Sequence, residues 1–247
     1  MNIFFEIHQG LPREAPGDNE STSRAFSALS KMPAKPHILD IGCGPGMQTM
    51  HLAHCSGGVV FAIDNHMPFL KNLKQNLEVK NDNLKVCVLD MSMFSMGFKA
   101  NSFDLIWAEG AVYFIGFEQG LAQWKHLLKP DGYAVFSELT WLKPDPPTKI
   151  KSYWKTEYPA MQSLDSNFES IDRQGYLKID YFWIPENSWW ENYYHPIEQK
   201  IAELRRKYPS RSKGSAQLDE AQLEVEMYRE YCSWYGYAFY IMQNQPT

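Results

Sequence analysis

A chain of 247 residues can bury a substantial core, and one large α/β domain with additions accommodates that length. Its net charge of −5 leaves no basic footprint for a nucleic acid, and no apolar run approaches the length that spans a bilayer. The four cysteines, Cys43, Cys55, Cys87 and Cys232, show neither a C-x-x-C pair nor metal-ligand spacing, which predicts no metal site and fits a reducing compartment. Met1–Glu6 has no basic stretch followed by an apolar one, so no secretory signal and a cytoplasmic location are expected. Residues 1–35 are rich in Pro, Gly and Ser, with helix-start chemistry at Asp18–Ser23. They form a candidate cap segment ahead of a domain over 36–247.

Ile38-Leu-Asp-Ile-Gly-Cys-Gly-Pro-Gly46 predicts a buried parallel strand that ends in an acid and breaks into a tight turn, with a helix opening near Gly46. Glycine suits such a turn because it reaches positive φ and lets a ligand press on bare backbone. The dinucleotide fingerprint spaces its glycines G-x-G-x-x-G, whereas Gly42, Gly44 and Gly46 alternate here, with Asp40 ahead of them. A carboxylate there is poorly placed beside a pyrophosphate and suits a nucleoside ligand that carries positive charge. Val59–Ile63 predicts a second strand ending at Asp64, which can accept bonds from two ribose hydroxyls or simply cap the next turn. Asn65 caps a helix with Pro68 in its first turn and Phe69, Leu70, Leu73 and Leu77 on one face. Leu84–Leu89 predicts a third strand ending at Asp90-Met91, and Phe103–Trp107 a fourth followed by Glu109–Tyr113. Phe117, Leu121, Trp124 and Leu128 give a helical face before a Leu128–Gly132 turn and a fifth strand at Tyr133–Ser137. Tyr176–Ile184 predicts strand six and Tyr237–Met242 strand seven. Asp40, Asp64 and Asp90 thus fall at the carboxyl ends of successive strands, where open α/β sheets bind ligands.

This ordered set, from Arg24 to Glu138, resembles the class I methyltransferases that depend on S-adenosylmethionine (SAM). The Asp40–Gly46 stretch stands at the family's first motif, and Leu128–Gly132 matches its Leu-Lys-Pro-Gly-Gly turn. Trp107–Tyr113, Ile115–Phe117 and Ser137-Glu138 before Trp141 resemble a group of small bacterial and archaeal members. The resemblance implies a doubly wound, Rossmann-like α/β fold. Its sheet would be mostly parallel and seven-stranded, with helices on both faces, strand seven antiparallel, and helical insertions. It implies SAM as cofactor, S-adenosylhomocysteine (SAH) as product, and Asp40, Gly42, Cys43, Gly44, Asp64, Asn65, Asp90, Met91 and Glu109 as cofactor-binding positions. Asp90 would meet the adenine amine and Met91 the ring, and Arg24 in the cap would lie near the methionine carboxylate.

The implied reaction is methyl transfer to an O, N or S nucleophile of a small molecule by in-line displacement. Tyr113 and Glu138 are its candidate catalytic residues, with His195 as a remote third. Tyr113 reads equally as an aromatic wall, and Glu138 as a partner for lid backbone. Insertions at about 140–175 and 185–236 carry Trp141, Trp154, Trp189, Trp190 and Tyr193, which form either an acceptor pocket or a hydrophobic cluster. Glu109–Tyr113 stands where enzymes methylating exocyclic base amines carry Asp/Asn-Pro-Pro-Tyr/Phe, and no Pro-Cys nucleophile occurs. The expected partner is a small-molecule acceptor, with no nucleic acid and no membrane, and a homodimer stays open. Two other readings remain: an NAD(P)-dependent oxidoreductase, which the glycine spacing and Asp40 disfavour, and a catalytically silent SAM-binding protein.

Overall fold

Strands β1 (His37–Ile41), β2 (Val59–Asp64), β3 (Lys85–Asp90), β4 (Phe103–Glu109), β5 (Leu128–Trp141), β7 (Tyr176–Trp183) and β8 (Tyr235–Asn244) form one sheet in the order β3-β2-β1-β4-β5-β8-β7. A two-residue strand, β6 (Gln162–Ser163), pairs with the end of β5. The computed structural model describes residues 3–80 and 83–245; Met1 and Asn2, on which the secretory-signal expectation partly rests, lie outside them. Strands β1 to β5 pair in parallel, and β8 is antiparallel to both β5 and β7. The sequence misses β6 because two residues carry no period. β5 also starts earlier than expected. Leu128 pairs with Phe103, the register shifts, and Asp131 takes a positive φ of 60° before Tyr133 meets Leu105.

The central strands are apolar throughout because both faces are covered. Along β8, Tyr235, Tyr237, Phe239 and Ile241 join one hydrophobic cluster, whereas Ala238, Tyr240 and Met242 join another. β1 divides the same way, Ile38 to the first cluster and Leu39 and Ile41 to the second. The second cluster takes in helix α5 (Phe117–Trp124) and Ile171 of α7 (Leu164–Arg173). Helices α3 (Met47–Ser56) and α4 (Met67–Lys80) enclose a third cluster over β2 that includes Cys43, Met50, Leu70 and Leu73.

The first cluster joins one face of the sheet to α1 (Ile3–His8), α2 (Asn19–Ser27), α6 (Thr148–Glu157), α9 (His195–Arg205) and α10 (Lys213–Tyr231). A short α8 (Glu186–Trp189) runs through a π-helical turn, Trp190–Tyr194, into α9. The Asp18 carboxylate caps α2 through the Ser21 amide and also accepts the Ser188 hydroxyl at 2.5 Å, which fastens the N-terminal segment to α8. No helix among the described residues is long and apolar enough to cross a membrane.

Candidate functional site

The glycine turn after β1 is pinned to β2: the amides of Gly42 and Cys43 both donate to the Ile63 carbonyl at 2.9 Å. Gly42 has φ +71°, and a Cβ there would stand 2.5 Å from the Ala111 Cβ, so the position admits no side chain. Gly44 differs. It also has positive φ, but a Cβ would meet only the Glu14 side chain, at 3.4 Å, so its outer side is open. Asp64 clamps this turn from the tip of β2, one oxygen accepting the Gly44 amide at 3.0 Å and the other the His66 amide at 2.8 Å. A carboxylate has about four acceptor positions, so both oxygens keep capacity for a ligand.

These groups border a cavity of about 410 Å³ at the carboxyl ends of β1, β2 and β4. Gly42, Gly44, Asp64, Asn65 and Met91 line it, together with Tyr113. The sequence reading thus places five cofactor positions and one catalytic candidate around a single opening. It misses the rest of the wall. His66 and Phe69 follow β2, Met93 and Phe94 follow β3, and Phe4, Phe5 and Glu14 arrive from the N-terminal segment. Phe5 stacks on His66 at 3.9 Å with an interplanar angle of 5°, closing one side.

Four expected cofactor residues lie elsewhere. Asp40 is fully buried and turned under α3, where it accepts the Thr49 hydroxyl at 2.6 Å while its other oxygen has no partner among the described residues. Burial pushes its carboxyl up to about 7, so it is not the fixed negative charge the sequence suggested. Cys43 is also fully buried, packed with the α3–α4 cluster, and burial raises its thiol. Glu109 turns away from the cavity. One oxygen meets the Arg13 guanidinium at 2.5 Å, and the other accepts from Thr22 at 3.1 Å and Trp107 at 3.2 Å. Burial raises its pKa despite that arginine. Asp90 pairs in register with Asp64 but is exposed at its strand tip and does not line the cavity.

Arg24 is not beside the glycine turn either; its guanidinium stacks 4.0 Å over the Phe182 ring. The arginine beside the turn is Arg13. Only 4% exposed, it lines a crevice of about 30 Å³ with Glu109, Gly42, Cys43 and Gly44. A lone arginine between Pro12 and Glu14 gave no signal in the sequence, because its partner stands 96 positions away.

Tyr113 reaches the cavity, but burial and the carboxylates around it push its phenol well above the ordinary value. It therefore keeps its proton and serves as a hydroxyl donor or a wall, not as a base. Glu138 lies deeper, 2% exposed, with no hydrogen bond of ordinary geometry to either oxygen. Burial pushes it up to about 8, against the opposing pull of the Tyr158 hydroxyl and the Leu139 amide. Tyr158 in turn stands edge-on to Tyr113 at 6.1 Å.

Of the two readings of the insertion aromatics, packing favours the hydrophobic cluster for four. Trp154 and Trp189 are core residues, 8% and 2% exposed, and half-buried Trp141 and Trp190 pack against the same cluster. Trp189 stacks on Tyr228 at 4.1 Å, Trp154 meets Tyr235 edge-on, and the Arg229 guanidinium covers Trp190. None of these four lines the 410 Å³ cavity. His195 lies tilted against Trp190, 5.5 Å between ring centres, and does not line that cavity either. Tyr193 alone faces an open space, a second cavity described below.

Residues 39–136 match the family model of a methyltransferase domain. The bifunctional biotin biosynthesis protein BioCD of Bordetella avium is 31% identical over 137 residues, covering 55% of this chain and 28% of that protein. The chain spans about a third or less of the length of the curated relatives it matches. In fold it is similar to YjhP of E. coli, with a TM-score of 0.84 and 19% identity over 99% of this chain and 100% of that one. A SAM-dependent methyltransferase of Geobacter sulfurreducens, solved with SAH, gives a TM-score of 0.82 at 16% identity over 99% and 98%. The strand order, the glycine turn and the domain match all fall on the same elements: residues 39–136 match a methyltransferase domain, within a fold similar to that of SAM-dependent methyltransferases.

Proposed function

We propose that the 410 Å³ cavity binds SAM and that the chain methylates a small-molecule acceptor. The observation that carries this reading is the juxtaposition of Asp64, still able to accept, with the open side of Gly44 over an apolar wall. Asp64 would take the ribose hydroxyls. Met91 and Phe69 supply apolar surface for the base, and the backbone at Gly42 and Gly44 admits the sulfur side of the ligand. Behind the turn, the Arg13–Glu109 pair offers both signs of charge to an α-amino-acid end. The cofactor supplies a methyl group on a sulfonium, which an acceptor displaces in line. The chain's own part is to align the acceptor and keep water out, which the Phe5–His66 stack and the Tyr113 wall support.

Asp64→Asn tests the cofactor site. Replacing a charged acceptor of two hydroxyls should weaken SAH binding by about 1.5–3 kcal/mol, roughly tenfold to a hundredfold. The amide retains one oxygen for the turn, so the variant should stay folded. Isothermal calorimetry reads the affinity; an unchanged dissociation constant would remove Asp64 from the ribose position and with it the main support for SAM in this cavity.

A further inference from the structure

A second cavity, of about 700 Å³, opens among α1, α6, the π-helical turn and α10. Its lining combines tyrosine rings from Tyr153, Tyr193 and Tyr194 with carboxylates from Glu157, Glu220 and Glu224, and among the described residues no lysine or arginine lines it. Tyr193 is 8% exposed and lines this space. The one imidazole in the lining, His8, is engaged at 2.8 Å by Glu14.

This cavity adjoins the first. Phe4 lines both, and Glu14, which binds His8 of the second, belongs to the wall of the first. Tyr193 is also within electrostatic reach of Tyr113 and Glu14. A molecule in the larger space therefore sits beside the proposed cofactor cavity, against the Phe4 side chain that both share.

Resting on the SAM reading above, we propose that the 700 Å³ cavity is the acceptor site and that it takes an amine attached to an apolar group. Ring faces attract a cation, and three carboxylates with no facing lysine or arginine reinforce that attraction. The same lining repels an acceptor that carries a carboxylate or a phosphate. An amine bound as its ammonium has no lone pair, so it must first release a proton, which the lining carboxylates can take. The nitrogen pair then forms the N–C bond as the C–S bond breaks with its electrons toward sulfur. The positive charge passes from sulfur to nitrogen, so the methylated product forms as an ammonium and stays compatible with the site.

The test uses benzyltrimethylammonium as the cation probe and benzoate as its anionic counterpart, titrated by calorimetry into the protein with and without SAH. The expected result is binding of the cation and none of benzoate, with Glu224→Gln weakening the cation at least tenfold and leaving SAH within twofold. Glu157→Gln, at an exposed position, should weaken it severalfold and guards against a folding defect in the first variant. Benzoate binding as tightly as the cation, no cation binding in either state, or an affinity unmoved by both variants would overturn the proposal. A protein that binds the cation but not SAH would instead overturn the cofactor reading and leave the amine site standing.

Discussion

Trp189→Ala is expected to cost roughly 3–5 kcal/mol of folding stability, the range for large aromatic truncations in cores. Trp189 is 2% exposed, stacked on Tyr228 with an interplanar angle of 11°, and within ring contact of Tyr194, Tyr235 and Tyr237. Its loss would open a hole where α8, α10 and β8 meet, and the four surrounding rings cannot collapse together to fill it. Denaturant unfolding of the variant measures the loss, and SAH affinity should remain near that of the parent. A variant that stays within about 1 kcal/mol of the parent but loses acceptor turnover would restore the aromatic pocket that the packing argues against.

Glu138→Gln should change how stability depends on pH. The folded protein holds this carboxyl at about 8, against an ordinary value of 4.5, because burial penalises the charged form. Between those values the folded state binds more protons than the unfolded one, so stability falls as pH rises through that window. The cost is absent below the unfolded value and complete above the folded one. At about 1.4 kcal/mol per pH unit, it reaches on the order of 4 kcal/mol by pH 8. The glutamine variant escapes it. Asp40, held near 7, contributes a slope of the same sign in both proteins and cancels in the comparison. Unfolding measured at pH 5 and pH 8 should show the difference between variant and parent moving several kcal/mol in the variant's favour. Parallel pH profiles would mean that Glu138 is ionised at neutral pH and has an electrostatic partner.

The half of the molecule that surrounds the 410 Å³ cavity was legible because parallel strands buried on both faces read as short apolar runs. Acids and glycines then mark their carboxyl ends. Asp64 and Met91 follow directly from that rule and do line the cavity. Asp40 fails it for a local reason: β1 continues one residue further, to Ile41, and strand alternation turns the Asp40 side chain toward α3. Glu109 also looked free in the sequence and proves to be held by Arg13, a pairing that only tertiary structure creates.

The N-terminal contribution was hidden differently. Helix α1 has six residues, too few to display a 3.6-residue period, yet it brings Phe4 and Phe5 to the cavity wall. The aromatic insertions were visible as a group but not as to their direction. Spacing cannot distinguish a ring turned into a cluster, such as Trp189, from one turned toward a space, such as Tyr193, when both occupy the same helical stretch. The π-helical turn over Trp190–Tyr194 shifts the facing of these residues out of α-helical register, so periodicity misassigns them.

The central claim is that this cavity accepts the nucleoside of SAM, and calorimetric titration of the unmodified chain with SAH and separately with NADPH tests it most directly. The expected result is one SAH bound per chain and no heat from NADPH, because the alternating glycines and the Asp64 clamp leave no cradle for a pyrophosphate. Tight NADPH binding with no response to SAH would contradict it.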